Sequence, residues 1–315
     1  MPQQLAHVSY VLSDQEQVVH RGADYAFISQ PFLEPQNLIA IAAVIACIAA
    51  VIFVSHKWAW LRDRVRYFRG RARSYQDFVP WVLRFSLGVA LIGAGSQQAL
   101  ISPAVQNQPT WATFQLILGF LLITGFLLTP TTIAAIVLSL GALVFNPELL
   151  NNLEIIGALL ALCLLGQAKP GLDDLIGMPI FSASDKARSW MPFILRLSLG
   201  TSLVIMAITE KLLNPHLFGA VVETYNLTSY LPFSTGMWVA SATLIELCLG
   251  LALLLGLHTR VVSTLSFLVL GLTFFFFGEQ VYAHVTIFGT LFVLMVTGGG
   301  TLSIDEIYAR RRQHT

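Results

Sequence analysis

Charge is scarce in this chain. Asp, Glu, Lys and Arg make up 11% of its 315 residues, where soluble domains carry roughly a quarter, and that excludes a water-soluble globule. The two signs nearly balance, with a formal net charge of +1, so the basic surface that grips a phosphate backbone is missing and nucleic acid is not a partner. No G-x-G-x-x-G, Walker loop, H-E-x-x-H or C-x-x-C occurs, which removes the common dinucleotide, phosphate, zinc-protease and dithiol motifs. Cys47, Cys163 and Cys248 stand alone in apolar stretches and read as small buried hydrophobes rather than as a disulfide or a thiol relay. The seven histidines include no i, i+4 pair, nor two at matching mid-membrane depth on opposite helices, so neither haem b nor a metal is expected. His7, in AHVSYV, would become a metal ligand only if processing exposed it, and no cleavage signal is visible.

What is abundant is apolar: 56% of the chain is hydrophobic, in blocks of about twenty residues, the length a helix needs to cross a hydrocarbon core about 30 Å thick. Windows bounded by Pro, Gly, Asn and charge clusters predict nine helices, at about 37–56, 80–100, 111–128, 131–147, 152–168, 192–213, 236–257, 260–278 and 283–299. The first comes after 36 mostly polar residues and precedes a dense basic segment, so it reads as an anchor and not as a cleavable signal.

Basic residues mark the cytoplasmic side. Lys57, Arg62, Arg64, Arg66, Arg69, Arg71 and Arg73 lie just after the first span. With that segment inside, nine spans also place Lys169, Lys186, Arg188, Arg260, Arg310, Arg311 and Arg312 inside, and Arg84 and Arg196 at inner helix ends. That is 16 of 18 basic residues, Arg21 and Lys211 being the exceptions. The N-terminus is expected outside and the C-terminus in the cytoplasm of a multi-pass cell-membrane protein. The basic segment reads as a topology determinant resting on anionic lipid headgroups. Ser303 and Glu306 stand at capping-box spacing, predicting a short interfacial helix after the last span.

The chain also repeats itself. VLRFSLG around Arg84 returns as ILRLSLG around Arg196 at an offset of 112; Gly119 and Gly125 return as Gly250 and Gly256 at 131; Gly157, Gly166 and Asp173 return as Gly289, Gly298 and Asp305 at 132. The expected fold is therefore all-α and polytopic, with about nine transmembrane helices: an N-terminal anchor helix and two tandem four-helix bundles. Its parts are an outer segment 1–36, the anchor and basic linker 37–78, a first unit 79–175, a linker 176–191 and a second unit 192–315. Each unit has an even number of spans, so both run in the same sense, as parallel repeats about an axis along the membrane normal do. The second unit carries 19 extra residues between its first two helices. They include His216, Glu223, Tyr225 and Tyr230 and could lie over its outer mouth as an amphipathic flap.

Aligning the units sets Glu210 against Gln98, Lys211 against Ala99, Glu246 against Gln115 and His284 against Asn152. The second unit holds the ionisable group each time, which points to chemistry there and a structural mate in the first. Glu246 lies about 15 Å deep at helical rise, where a carboxyl is either protonated and hydrogen-bonded, paired with a cation, or exposed to a wet cavity. Lys211 comes fifteen residues after Arg196, close to four turns, and could meet His284 near the outer surface, where snorkelling to the headgroups is its bland reading. Arg84 and Arg196 fit anchoring, or pairing with Asp173 and Asp305, better than catalysis. His258 and Arg260 fall at a tight turn and cap it. Phe274 to Phe277 face lipid.

These residues bring out a resemblance. ILRLSLG with Lys211 downstream, LIELCLGLALLLGLHTR, His284 and GGGTLSID, spanning about 192–305, resemble the DoxX family of small four-helix membrane proteins. The first unit looks like a degenerate copy that keeps Arg84, Gly119, Gly125 and Asp173. The resemblance implies a membrane component of sulfur or oxygen redox chemistry, with relatives in thiosulfate:quinone oxidoreductase and among proteins that associate with antioxidant enzymes. The preferred reading is a redox protein exchanging electrons and protons with quinone as a diffusible co-substrate, fed by a small sulfur compound such as thiosulfate. In it Lys211 holds an anion or a quinone oxygen, Glu246 moves protons and His284 orients or relays, with Glu210, His216 and Tyr225 beside the substrate. A second redox subunit or a soluble antioxidant enzyme is the implied partner. The other reading is a non-catalytic scaffold that recruits such a partner; a transporter ranks last, because the helices lack the mid-span breaks of a midplane transport site.

Overall fold

The computed structural model describes residues 22–35, 37–39, 41–42, 46, 70–72, 74–166, 171–178, 184–231 and 233–311. Most of the expected anchor and of the basic segment, and His7, lie outside the described residues. Among the described residues the ordered elements are all helices. Six stretches are long and apolar enough to cross a membrane: Gln76–Ser96, Leu128–Phe145, Pro147–Leu165, Asp185–Leu212, Thr235–Leu255 and Thr259–Phe277. Pro109–Thr124 and Val281–Thr297 are shorter apolar helices. The protein is an all-α polytopic membrane protein, and each expected span after the anchor is a helix.

In chain order these are α1 (Tyr25–Ser29), α2 (Val79–Ser96), α3 (Pro109–Thr124), α4 (Leu128–Phe145), α5 (Leu153–Leu165), α6 (Met191–Met206), α7 (Pro215–Thr224), α8 (Thr235–Leu255), α9 (Thr259–Phe277), α10 (Val281–Thr297) and α11 (Ile304–Arg311). Proline opens several of them, α2, α3 and α6 among others, where its missing N–H removes no intrahelical bond. Left-handed glycines close α3 and α8, at Gly125 with φ 67° and Gly256 with φ 65°, a conformation that a side chain would disfavour.

The two repeats solve the turn after those glycines in the same way. Arg84 donates to the carbonyls of Leu122 and Ile123 at the end of α3, while Asp173 accepts from the amides of Leu127 and Leu128 at the start of α4. In the second unit Arg196 donates to the carbonyls of Leu254, Gly299 and Thr301, and Asp305 accepts from the amides of His258 and Thr259. The expected pairing of Arg196 with Asp305 is thus made through the backbone of the turn: the cation takes the carbonyls that end one helix and the anion takes the amides that begin the next. Arg260 similarly donates to the carbonyls of Val296 and Thr297 at the end of α10, and Ser303 caps α11 by accepting from the Glu306 amide.

Packing is reciprocal. Within each unit the first two helices cross at paired glycines: a Cβ on Gly88 would sit 2.8 Å from the Gly119 carbonyl oxygen, and one on Gly200 would sit 2.8 Å from that of Gly250. Between units, the first helix of each lies against the last helix of the other, α2 on α10 and α6 on α5. A Cβ on Gly157 would collide with Ser198, and one on Gly289 with Ser86; those serines and glycines are themselves repeat mates. α5 runs antiparallel to α6, since Glu154 meets Ser202 and Gly157 meets Ser198. Both units therefore run in the same sense about a pseudo-twofold axis along the helices, and one apolar core from Leu83 and Leu87 to Leu291 and Leu294 runs through both.

The reciprocal contacts are testable in the purified protein. Gly157→Leu and Gly289→Leu should each destabilise by about 1–3 kcal/mol through overpacking. Gly141→Ala, in a helix position with open space around it, should be neutral or stabilising by up to ~1 kcal/mol. Thermal unfolding in detergent reads both, and an unperturbed Gly157→Leu would show that the inter-unit seam is loosely packed.

Candidate functional site

The site forms where α6 stops being regular. Residues Ala207–Leu212 continue α6 as a π-helical segment; such segments are found most often as single turns at functional positions. One extra residue in a turn rotates all later positions by about 100°. Asn214 donates to the Thr209 carbonyl at 2.7 Å, taking up one of the oxygens that the irregular turn exposes. In the first unit the same stretch ends instead: α2 stops at Ser96 and the chain turns through Gln98 at φ 56°.

The π segment brings Lys211 onto α8. Its Nζ lies 2.6 Å from Glu246 Oε2, with side-chain exposures of only 7% and 11%, and 5.3 Å from the Phe218 ring centroid. Glu210 is buried and accepts from Asn151 at 3.0 Å. His284, at the start of α10, places Nε2 at 2.7 Å from Glu279 Oε2 and Nδ1 at 3.3 Å from the Gln280 carbonyl oxygen. Glu210, Lys211, Glu246, Glu279 and His284 all line one cavity of about 190 Å³, whose remaining wall is apolar apart from Thr273.

The extra residues form α7, which packs on α8 and the π segment and lends Phe218 and Val221 to the cavity wall. His216 and Tyr225 are not part of that lining. His216 faces the other way, with Nε2 3.1 Å from Asp24 Oδ2 and its ring 4.5 Å from that of Phe27. Tyr225 stacks edge-on against Phe277 and donates to its carbonyl at 3.4 Å. The N-terminal segment around α1 thus straps α7 from outside. Phe27 and Pro31 of that strap crowd Gly236 on α8 so closely that a Cβ there would sit 2.7 Å from each.

Two acidic residues of this region went unrecognised in the sequence. Glu279 stands just before α10, where a carboxylate among loop residues gives no signal. Glu154 is fully buried in α5 and accepts from Ser202 Oγ at 2.7 Å. Its repeat mate is Thr286, so comparing the units in the opposite direction, first against second, would have found it. The phenylalanine run also divides: Phe275 is 82% exposed, but Phe274 packs on His284 and Phe288, and Phe277 lines the cavity. In the first unit the equivalent of Glu246 is filled by backbone. Gln115 accepts from the Ile101 amide at 2.6 Å and donates to the carbonyls of Leu91 and Ala99, a self-contained plug with no ionisable group.

Among the described residues no group of three or more His, Cys, Asp or Glu side chains is arranged to hold a metal ion. Comparison with protein-family models, with curated proteins and with solved structures finds no match to this chain.

This geometry predicts two outcomes. Removing one member of the Lys211–Glu246 pair strands a buried charge, so Lys211→Met should cost about 3–5 kcal/mol, and Lys211→Met with Glu246→Leu should recover most of it; unfolding in detergent measures this, and a harmless single substitution would mean that water reaches the pair. The strap has its own pH dependence. The Phe27 amide, and then His216, hold the Asp24 carboxyl below its ordinary value, so their contribution is present above the unfolded pKa of about 3.9 and is lost as pH falls through the lower folded value. A spin label at Leu33→Cys, in a background without native cysteines, should gain mobility on that acidification in the parent and show no such transition with Asp24→Asn.

Proposed function

We propose that the cavity binds the head of a lipid-dissolved quinone and manages its protons, making the chain a membrane component of a quinone-linked redox reaction. The observation that carries this reading is the shape of the cavity. Its floor is ionisable, and its wall includes Ile245 of α8 and Val269 of α9, which are 48% and 37% exposed on the surface that an apolar span turns to lipid. An opening between two spans suits a ligand that arrives through the bilayer with an apolar tail behind a polar head.

Charge narrows the ligand. Three carboxyl groups share the cavity with one lysine and one histidine, and the lysine already faces Glu246. A free sulfur anion would meet that excess of carboxyls, whereas a neutral carbonyl loses nothing by it. The ammonium carries three donors, and Glu246 takes one, so Lys211 is suited to donate to a quinone oxygen as well. Reduction of a quinone to a quinol takes two electrons and two protons. The Lys211–Glu246 pair, whose proton sits on the ammonium, and the Glu279–His284 pair are the groups placed to give protons, in general acid fashion. The electrons come from a two-electron donor such as a pair of thiosulfates or thiols, which join through a new S–S bond as they are oxidised, outside this cavity or on a second redox subunit.

The DoxX-like motifs fall on the parts that build this site: Arg196 and Asp305 hold the turn, and Lys211, Glu246 and His284 reach the cavity. The distribution of Lys and Arg supports the orientation that goes with it, with the Arg84 and Arg196 end in the cytoplasm, the cavity toward the outer face, and the cell membrane as the location.

A short-chain photoreactive quinone in nanodiscs tests the reading. Saturable labelling near Ile245 and Val269 is expected, reduced at least tenfold by Lys211→Ala, with quinone reduction by thiosulfate, sulfite or a thiol lost in Glu246→Gln. Labelling that never saturates would end the quinone reading and leave the scaffold, to be pursued through soluble partners.

A further inference from the structure

α9 and its repeat mate α4 are held in different ways. Residues 128–142 of α4 correspond to 259–273 of α9. In α4 buried positions recur along that whole stretch, from Leu128 and Thr132 to Leu138, Ser139 and Ala142. In α9 the buried positions are Thr259, Ser263 and Ser266, all within the first eight of its nineteen residues. The mates of Leu138, Ser139 and Ala142 are Val269, Leu270 and Thr273, and these three line the cavity. The difference lies in what stands behind each helix. Leu100, Ile101 and Val105, from the segment that follows α2, share one apolar core with Ala135, Leu138 and Ala142, so α4 is backed by folded main chain. In the second unit the chain after α6 goes into α7 instead, and α9 is backed at that level by the cavity.

The ties of α9 follow the same division. At its start, Asp305 accepts from the amides of His258 and Thr259 at 2.8 and 2.9 Å, and Arg260 donates to the carbonyls of Val296 and Thr297 at 3.1 and 3.3 Å. Further along, α9 meets α10 through ring edges: Phe267 and Phe274 stand 5.2 and 5.6 Å from Phe288, and Phe274 stands 5.7 Å from His284. Its last turn meets the segment around α7 in the same manner, with Phe277 4.9 Å from Tyr225 and Phe276 5.6 Å from Tyr230. Toward α8 the wall opens between Val269 and Ile245. A helix tied at one end, resting on ring edges along one side and on a cavity along another, is free to turn about the tied end. Turning toward α8 gives the lining atoms of the cavity the contacts that an unfilled space denies them.

We propose that the far half of α9 is the gate of the cavity, with two positions: the one described, parted from α8, and one closed on α8. A ligand head in the cavity favours the parted position, because only that position holds it. The rings at the end of α9 carry α7 with them, and α7 carries the Phe218 ring that stands over the Lys211 ammonium, so the side and the cover of the cavity move together. The ligand is that of the quinone reading, on which this step rests, whereas the swing itself rests on the packing of α9.

Pulsed electron spin resonance on the full chain in nanodiscs, in a background without native cysteines, reads the swing without depending on turnover. Spin labels at Phe275→Cys and Phe145→Cys, both exposed, relate the far end of α9 to the first unit. Labels at Val261→Cys and Leu175→Cys, exposed as well, do the same at the tied end. The first pair should show two populations of distance that a fully ring-substituted short-chain quinone merges into one, and the second pair a single distance with or without it. A disulfide between Ile245→Cys and Val269→Cys should hold the gate shut: labelling by the photoreactive quinone should fall at least tenfold on oxidation and return on reduction, each molecule serving as its own folding control. A single narrow distance at the first pair, two populations that bound quinone leaves unmoved, failure of the disulfide to form, or labelling that survives it would each overturn the gate while leaving quinone binding untouched. Two populations at the first pair, in a protein that binds no quinone, would uphold the gate and discard the quinone.

Discussion

Inside a bilayer no water is present to satisfy a peptide group, and that constraint shapes this molecule more than any pairwise attraction does. Helices meet it along their length, but every turn between spans breaks it. The answer in each unit is a charged side chain sent from another helix to the broken end. Arg84 and Arg196 are buried to 3% and 1% exposure, and both spend guanidinium donors on backbone carbonyls, Arg84 at the second-to-third helix turn and Arg196 there on Leu254 and, beyond the fourth helix, on Gly299 and Thr301. Asp173 and Asp305 supply the matching acceptors to the amides on the other side. Because each arginine belongs to the first helix and each aspartate comes after the fourth, the device also ties all four helices of a unit at one end.

Tying one end leaves the other free to differ, and the two units differ there. The first closes its far end with main chain: the segment after Ser96 folds back and Gln115 satisfies its amide and carbonyl groups without a formal charge. The second continues its first helix through a π turn and sends Lys211 into the space that backbone occupies in the first. A lysine cannot fill that volume as a folded loop does, and it needs a counter-charge in low dielectric, so Glu246 replaces glutamine and a cavity of about 190 Å³ remains beside the pair. The inserted α7 then covers the opening, with Phe218 against the ammonium. Duplication supplied the scaffold, and its divergence at one end supplied the site.

Much of this was legible from the sequence, for reasons that are physical. Apolar blocks near twenty residues long can satisfy their backbone in lipid only as helices, so the spans were readable. The repeat offsets exposed Lys211, Glu246 and His284 as charges without precedent in their mates, and the structure places all three on one cavity. The 19-residue excess is the covering helix. What could not be read is what depends on rotation about a helix axis or on a distant partner. A π turn leaves no compositional trace, so the irregular end of α6 that carries Lys211 could not be read. His216 and Tyr225 sit in the covering segment, as the sequence suggested, but they turn to Asp24 and Phe277, and only the fold of α7 decides which side of a short helix meets the cavity. Phe274 and Phe277 were hidden within a run whose other members do face outward.

Glu154 shows most clearly how symmetry misleads. A charge gained by the second unit marks function when one copy is active and the other is only a mate. The units interlock, however: α5 of the first packs on α6 of the second, and α2 of the first packs on α10 of the second. A residue of the first copy then reaches the cavity wall of the second: Asn151 donates to Glu210, although every residue that lines the cavity belongs to the second unit. Asn151 and Glu154 come from the first unit and Glu210 and Ser202 from the second, and their hydrogen bonds cross the boundary twice. Neither unit alone makes these bonds. In a fused pair of repeats whose first and fourth helices exchange partners, the first copy braces the cavity of the second from behind through Asn151 on Glu210 and Glu154 on Ser202, and losing it would remove that support together with half of the core.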